Sequence, residues 1–396
     1  YDEEFGPVIM FGLGGIFTEA LQDVVFRLAP IDETVAKSMI YDIRGRKLLE
    51  AFRGEAAPDA DELVKVLTGL SEIAMRVPHI REIDINPLIV SPQGKVTAVD
   101  ALIVLGETSK RQTAQVPVNP RDIGALIYPQ SIAFIGASAE LSKWGQLMFS
   151  NVVAGNYKGE VYLVNPRGGE IAGRKVYLSV TEIEEPVDLA VITIPAAGVM
   201  QVIDELKMKG VKNVLLISSG FGETGPEGKK LQNELVAKAR EAGILILGPN
   251  TMGICNPHAS LYCTGTHVRP KPGGTALVAQ SGNLGTQLLA FAEKEGIGIR
   301  AFAGTGNEAM ITIEDCMEGF EVDDLTRTVV LYMESVKNGK RFYEAARRVG
   351  MKKPVIALKG GRTEAGATAA ASHTGAMASN IKVFEAACAQ AGIVRA

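Results

Sequence analysis

Reactive side chains are scarce in this chain: its 396 residues hold four cysteines, four histidines and one tryptophan. Cys255, Cys263, Cys316 and Cys388 are too scattered for a disulfide framework and lack the C-x-x-C spacing of a metal site. A reducing, cytoplasmic setting is therefore expected. No apolar run approaches the roughly 20 residues that span a bilayer, and no signal peptide opens the chain, so a membrane is not an expected partner. Nor does one sign of charge dominate. Lys and Arg number 41 against 45 Asp and Glu, a net charge of −4. With no dense basic block or aromatic-interleaved basic stripe, nucleic acid is not an expected partner either.

Glycine is plentiful at 43 residues, and 46% of the chain is hydrophobic. That is the composition of folded domains with many tight turns and ligand-approach loops. A single core rarely grows past roughly 250 to 300 residues, so two or three domains are expected. Tyr1 stands where an initiator Met would, and the last helical pattern stops abruptly at Ala396. Both ends read as those of a fragment.

One run is unusual. From Gly366 to Ser379 the chain is almost entirely Ala, Gly, Ser and Thr, and His373 alone there can do nucleophilic or acid–base chemistry. A neutral imidazole accepts a proton or a phosphoryl group near neutral pH. An ordinary surface-loop histidine would explain the run equally well.

Residues 1–106 read as strand, glycine-rich turn and helix, then strands over Ile83–Val90 and Lys95–Ile103. A polar stretch over 107–118 has the makeup of a linker. Residues 119–257 alternate strand and helix, with near-continuous apolar strands such as Ile132–Ile135 and Leu189–Ile194, the pattern of a Rossmann-like parallel sheet covered on both faces. A second parallel alternation occupies 258–396, through Thr275–Ala279, Ile299–Ala303, Thr328–Met333 and Val355–Leu358. In open parallel sheets, ligands gather beyond the carboxyl ends of the strands.

Those strand ends carry the candidate groups. Gly136-Ala137-Ser138 and Asn165-Pro166-Arg167 end two strands of the middle domain and suit a phosphate-bearing ligand, although simple βα turns use the same residues. The G-x-G-x-x-G fingerprint is missing, which disfavours NAD. Gln280-Ser281-Gly282-Asn283 opens a helix and reads as an anion site or as a plain N-cap. Glu334 ends a strand of the same sheet, where it can hold one ring nitrogen of His373 or pair with Lys337 or Lys340. Glu82, Asp84 and Asn86 alternate with Ile on one strand, and Asp100 follows in the next strand pattern. Asn86 and Asp100 are oxygen donors of the kind that hold Mg²⁺ beside nucleotide phosphates. A one-sided polar edge strand is the competing explanation.

Together these motifs resemble the NDP-forming acyl-CoA synthetases of the succinyl-CoA synthetase superfamily. Residues 1–106, with Gly12-Leu-Gly-Gly15 and Glu82-Ile-Asp-Ile-Asn-Pro-Leu88, resemble the C-terminal part of an ATP-grasp domain. Residues 119–257, ending in Gly248-Pro-Asn-Thr-Met-Gly253, resemble the CoA-binding domain. Residues 258–396, with Ser372-His373-Thr374-Gly375, resemble the flavodoxin-like ligase domain. The resemblance implies a relay in which acyl-CoA and phosphate give an acyl phosphate, His373 takes the phosphoryl group on a mobile loop, and ADP accepts it. It further implies CoA, ATP or ADP, Mg²⁺ and a small carboxylic acid as ligands, with Glu334 and Asp84 meeting His373 at its two stops. Homo-oligomerisation, or assembly with the family's missing domains, is implied too, and without those domains the chain is not expected to complete ATP-coupled turnover. The alternative is an inactive, acyl-CoA-sensing regulatory module of an acetyltransferase, although such modules typically lack the histidine that His373 supplies here.

Overall fold

The computed structural model describes residues 1–14, 23–51, 56–107, 116–361 and 380–396. His373 and its small-residue run therefore lie outside the described residues, as does most of the expected linker. The chain divides into two compact units. The first comprises Tyr1–Ala114, Val336–Glu344 and Ser379–Gly392; the second comprises Gln115–Ser335, Ala345–Ala378 and Ile393–Ala396.

The first unit begins with strands β1 (Val8–Gly12) and β2 (Val24–Leu28), paired antiparallel, followed by helices α1 (Glu33–Asp42) and α2 (Ala60–Arg76). Asp59 caps α2 by accepting from the amides of Asp61 and Glu62, and Leu63, Val64, Leu67 and Ser71 form its buried stripe. Ile9, Ile31, Ala36, Met39, Val64 and Leu67 make the small core.

Then come β3 (Ile80–Ile85), β4 (Leu88–Val90), β5 (Val96–Ala98) and β6 (Ala101–Leu105). The two long strands expected here are each interrupted. Pro87 has no amide to give the ladder, and Asp100 turns its Oδ1 back to the amide of Ala101 at 2.8 Å. The four pieces still form one interrupted hairpin, because β3 pairs with β6 and β4 with β5, both antiparallel.

The second unit opens with α3 (Pro120–Ile127) and continues through β7 (Ser131–Ile135), α4 (Trp144–Ala154), β8 (Glu160–Val164), β9 (Glu170–Ile171), β10 (Arg174–Tyr177), β11 (Leu189–Ile192), α5 (Ala196–Lys209), β12 (Asn213–Leu216), α6 (Pro226–Ala242) and β13 (Leu245–Leu247). Every residue of β7 and β11 is buried, as strands covered on both faces require. The sheet order is β13-β12-β11-β7-β8-β10-β9, parallel except for β9. Order therefore reverses between β7 and β11, the Rossmann switch point.

The second sheet is built from β14 (Gly253–Asn256), β15 (Leu261–Thr264), β16 (Pro272–Ala279), β17 (Ile299–Gly304), β18 (Thr328–Met333), β19 (Val355–Lys359) and β20 (Val394–Arg395). Between them run α7 (Gly282–Glu295), α8 (Ile313–Glu321), α9 (Gly339–Gly350) and α10 (Ile381–Ala391). Its order, β15-β14-β17-β16-β18-β19-β20, contains the parallel flavodoxin run, with β14 and β15 added antiparallel at one edge. The sheets change over at Gly253, slightly ahead of the expected boundary at 258. The start of α9 and all of α10 belong to the first unit, where Phe342 stacks on Phe384 at 5.8 Å between ring centres. Among the described residues no helix is long and apolar enough to cross a membrane.

One glycine fixes the approach of α4 to its sheet. A Cβ on Gly145 would lie 2.1 Å from the carbonyl oxygen of Gly136, a backbone atom that cannot step aside. Gly145→Ala should therefore push the start of α4 off the end of β7 and destabilise the unit by about 1 to 3 kcal/mol. A thermal melt of the variant against the parent measures it.

Candidate active site

At the Rossmann switch point, β7 runs into Gly136, whose φ of +95° favours glycine. The amides of Gly136 and Ala137 both donate to the carbonyl of Val164, tying the end of β7 to that of β8. Ser138 Oγ accepts from the amide of Glu140 at 3.0 Å. Asn165 locks the second turn: its Nδ2 donates to Ala137 O and its Oδ1 accepts from the amide of Arg167, both at 2.9 Å. Pro166 and Arg167 remain exposed. The two predicted turns are thus brought together, leaving Arg167 exposed as a charge partner.

At the flavodoxin switch point, β16 runs into Gln280 and the neighbouring β18 into Glu334. Ser281 caps α7, its Oγ accepting from the amide of Leu284 at 3.4 Å. Gly282 and Asn283 form the first turn, where amides precede the helix's own i→i−4 bonds. A Cβ on Gly282 would meet Met252 Cγ at 2.0 Å, so glycine lets the helix start approach that neighbour. Gln280 is placed differently from the other three. Its Oε1 accepts from the amides of Glu334 at 2.6 Å and Ser335 at 3.0 Å, and its Nε2 donates to Glu308 Oε2 and Ser335 O, both at 3.0 Å. Its side chain organises the turn after β18, whereas Ser281, Gly282 and Asn283 form the start of α7.

Tyr332 precedes Glu334, its hydroxyl 3.5 Å from Glu334 Oε1. Burial, reinforced by the Glu334 charge, pushes the phenol up to about 12, so it stays protonated at neutral pH. Lys340 pairs with Glu344 at 3.9 Å. The four cysteines are reduced and buried, and burial pushes the thiols of Cys255, Cys263 and Cys316 upward, away from thiolate chemistry.

Several site residues were missed. Lys359, buried at the end of β19, donates to the carbonyls of Glu334 at 2.7 Å and Gly360 at 2.9 Å. Asn307 and Glu308 lie in the loop after β17. Asn307 Nδ2 donates to Glu223 Oε2 and, at 3.1 Å, to Gln232 Oε1. Glu223 also accepts from the amides of Gly220 and Phe221. The two sheets thus meet at their carboxyl ends, since Asn307 N–H also donates to Pro249 O at 2.9 Å. The glycine-rich run Ser219-Gly-Phe-Gly-Glu-Thr-Gly225 after β12 was the available signal for Glu223.

In the first unit, Glu82, Asp84 and Asn86 are exposed while Ile83 and Ile85 are half-buried, as the alternation predicts. Ile85 pairs with Ala101 and Leu88 with Ala98, so Asn86 and Asp100 occupy facing gaps of the interrupted hairpin. Gly14 approaches Asn86, whose Oδ1 would lie 3.7 Å from a Cβ there. Among the described residues no group of three or more His, Cys, Asp or Glu forms a metal cage. One exposed amide and one exposed carboxylate fit Mg²⁺, which keeps several waters and shares its shell with phosphates.

The comparisons with known proteins follow the same division. Residues 1–105 match an ATP-grasp domain family, 130–257 a CoA binding domain family, and 272–396 the succinyl-CoA ligase like flavodoxin domain family. The fold and the matched families define a chain of ATP-grasp, CoA-binding and flavodoxin-like domains. The chain belongs to the NDP-forming acyl-CoA synthetase family of the succinyl-CoA synthetase superfamily. It is 37% identical over 398 residues to acetate–CoA ligase (ADP-forming) II of Archaeoglobus fulgidus, covering 100% of this chain and 58% of that protein. It is 49% identical over 276 residues to the alpha subunit of acetate–CoA ligase (ADP-forming) I of Pyrococcus furiosus, covering 69% and 60%. Acetyl-coenzyme A synthetase 1 of Ca. Korarchaeum cryptofilum, solved with phosphate and ADP, superposes with a TM-score of 0.66 at 38% identity, covering 69% and 59%. The chain thus spans about three fifths of these relatives' length.

Burial alone would raise the Glu223 carboxyl, but hydrogen bonds from Asn307 and from the amides of Gly220 and Phe221 outweigh it and hold the group below its ordinary range. A lowered native pKa stabilises the fold above the ordinary Glu value and loses that contribution as pH falls. Glu223→Gln should lower the melting temperature most near pH 7, with the gap to the parent closing below about pH 4.

Proposed function

We propose that this chain carries the CoA-dependent and phosphoryl-relay parts of an ADP-forming acyl-CoA synthetase. The relatives' names point to acetate or a similarly small carboxylic acid as the acyl group. The observation that carries the reading is that Ser281, Gly282 and Asn283 follow β16 while Glu334 follows β18, two strands paired at one switch point and joined there by the bond from the Glu334 amide to Gln280.

CoA lies along the turns at Gly136, Ala137, Ser138, Asn165, Pro166 and Arg167, with Arg167 meeting a phosphate. Phosphate displaces CoA from the acyl group, giving an acyl phosphate and the free thiol. The Nε2 or Nδ1 lone pair of His373 then attacks phosphorus, and the carboxylate departs with the former bridging electrons. Ser281 and the amides of Gly282 and Asn283 stabilise the transferring anion, worth about 0.3 to 1 kcal/mol for each helix-end term. Glu334 holds the other ring nitrogen and balances the positive charge that grows on the imidazole. ADP accepts the group on the nucleotide side, where Asp84 takes over the role of Glu334. Asn86 and Asp100 would hold Mg²⁺ there, which when bound neutralises phosphate charge. A cytoplasmic setting suits four reduced, buried cysteines. Assembly with the family's remaining domains, in this or another chain, completes the nucleotide site.

The reaction can be entered from the CoA side. Incubation with acetyl-CoA and radiolabelled phosphate, without nucleotide, should place acid-labile, base-stable label on His373. Glu334→Gln should slow labelling by about 100-fold or more, and Asp84→Asn should slow discharge of the label by ADP and Mg²⁺. Label of undiminished amount on His373→Ala would refute the relay.

A further inference from the structure

Glu308 is 2% exposed, and its φ of +53° puts a non-glycine residue in the left-handed region. Such backbone persists where the surroundings over-determine it. Both carboxylate oxygens are engaged. Oε1 accepts from the amide of Ile313 at 2.9 Å, an N–H in the first turn of α8 that has no partner within its own helix, and Oε2 accepts from Gln280 Nε2 at 3.0 Å.

The second bond, with that from Gln280 Nε2 to the Ser335 carbonyl, fixes which way the Gln280 amide points. With its NH₂ turned to a carboxylate, its carbonyl must face the amides of Glu334 and Ser335, and it accepts from both. A buried acid on the loop after β17 thereby sets the main chain that carries the carboxylate at the end of β18. We propose that Glu308 is a positioning residue for phosphoryl transfer, acting through Gln280 on Glu334. This role rests on the reading of Glu334 as the partner of His373.

The chemistry explains why an acid is needed at 308. A carboxylate offers acceptors on both sides, whereas an amide offers one acceptor and one donor. Glu308→Gln must either orphan the Ile313 amide or set NH₂ against NH₂ at Gln280. Gln280→Glu creates the complementary fault, two carboxylates in contact. Exchanging both groups restores donor to acceptor between 308 and 280 and keeps acceptors for the amides of Ile313, Glu334 and Ser335, while the bond from position 280 to the Ser335 carbonyl stays lost.

Labelling of His373 from acetyl-CoA and radiolabelled phosphate provides the test. Glu308→Gln and Gln280→Glu should each reduce the maximal labelling rate by about 10- to 100-fold, with half-saturating acetyl-CoA changed by less than about 3-fold. The exchanged pair should recover part of the loss and label faster than the worse single variant. In a Glu334→Gln background, Glu308→Gln should cost less than about 2-fold more. Melting curves separate this from misfolding, since a structural fault would carry its full cost into that background. Unimpaired labelling in Glu308→Gln, or an exchanged pair no better than the worse single variant, would overturn the role while leaving the relay standing. Label surviving His373→Ala would overturn both.

Discussion

In the second unit, both parallel sheets reverse their strand order, and the polar residues assembled there depend on that reversal. Next to the switch points, βα connections leave to opposite faces, so the carboxyl ends of β7 and β11, and of β16 and β18, are not roofed by a crossover helix. Main-chain groups at such ends need partners, and side chains from neighbouring loops provide them. Asn165 serves the first sheet in this way, by donating to Ala137 O and accepting from Arg167. Gln280 serves the second, with hydrogen bonds to both Glu334 and Ser335. The apolar strands behind them form the rigid part, with Val191 and Ala279 fully buried. A site built on strand ends inherits that rigidity.

Much of this was legible in the sequence, because it is local. Near-continuous apolar runs fix parallel strands, and glycine at 136 and Ser281 before a helix mark the turns that follow them. The alternation of Glu82, Asp84 and Asn86 with Ile foretold one exposed face, and the structure has it. The breaks at Pro87 and Asp100 had a local cause as well, a missing amide and a side chain that satisfies its own neighbour, but the strand pattern overrode them. What could not be read was the set of contacts made only after folding. Gln280 looked like a phosphate ligand because it precedes Ser281, whereas its amide is taken up by Glu308 and by residues at the end of β18. Glu308 and Asn307 meet partners on other loops and helices, and Lys359 meets the turn after β18, and no periodicity marks such pairs. The assignment of α10 to the first unit is similarly invisible, because its sequence is that of an ordinary amphipathic helix.

Charge explains why so many groups converge at the second switch point. Glu308 and Glu334 bring carboxylates to the place where a phosphoryl group would also bring negative charge, and like charges close together in low dielectric are costly. Two features oppose that cost. The start of α7 contributes a positive helix end beside Ser281. The ammonium of Lys359 is buried and fixed on the carbonyls of Glu334 and Gly360, so its charge is attached to the very turn that carries the Glu334 carboxylate. A cation held by main chain cannot swing away to neutralise a different partner, unlike an exposed lysine. The field at the end of β18 is thereby set by backbone geometry, and whatever fixes that geometry also fixes how strongly the site tolerates an anion. Gln280 is the link: it bonds the amides of Glu334 and Ser335 from one side while Lys359 bonds the Glu334 carbonyl from the other. A shift of either would move the carboxylate and its compensating cation together, which makes the turn after β18 the electrostatic unit of the site rather than any single side chain in it.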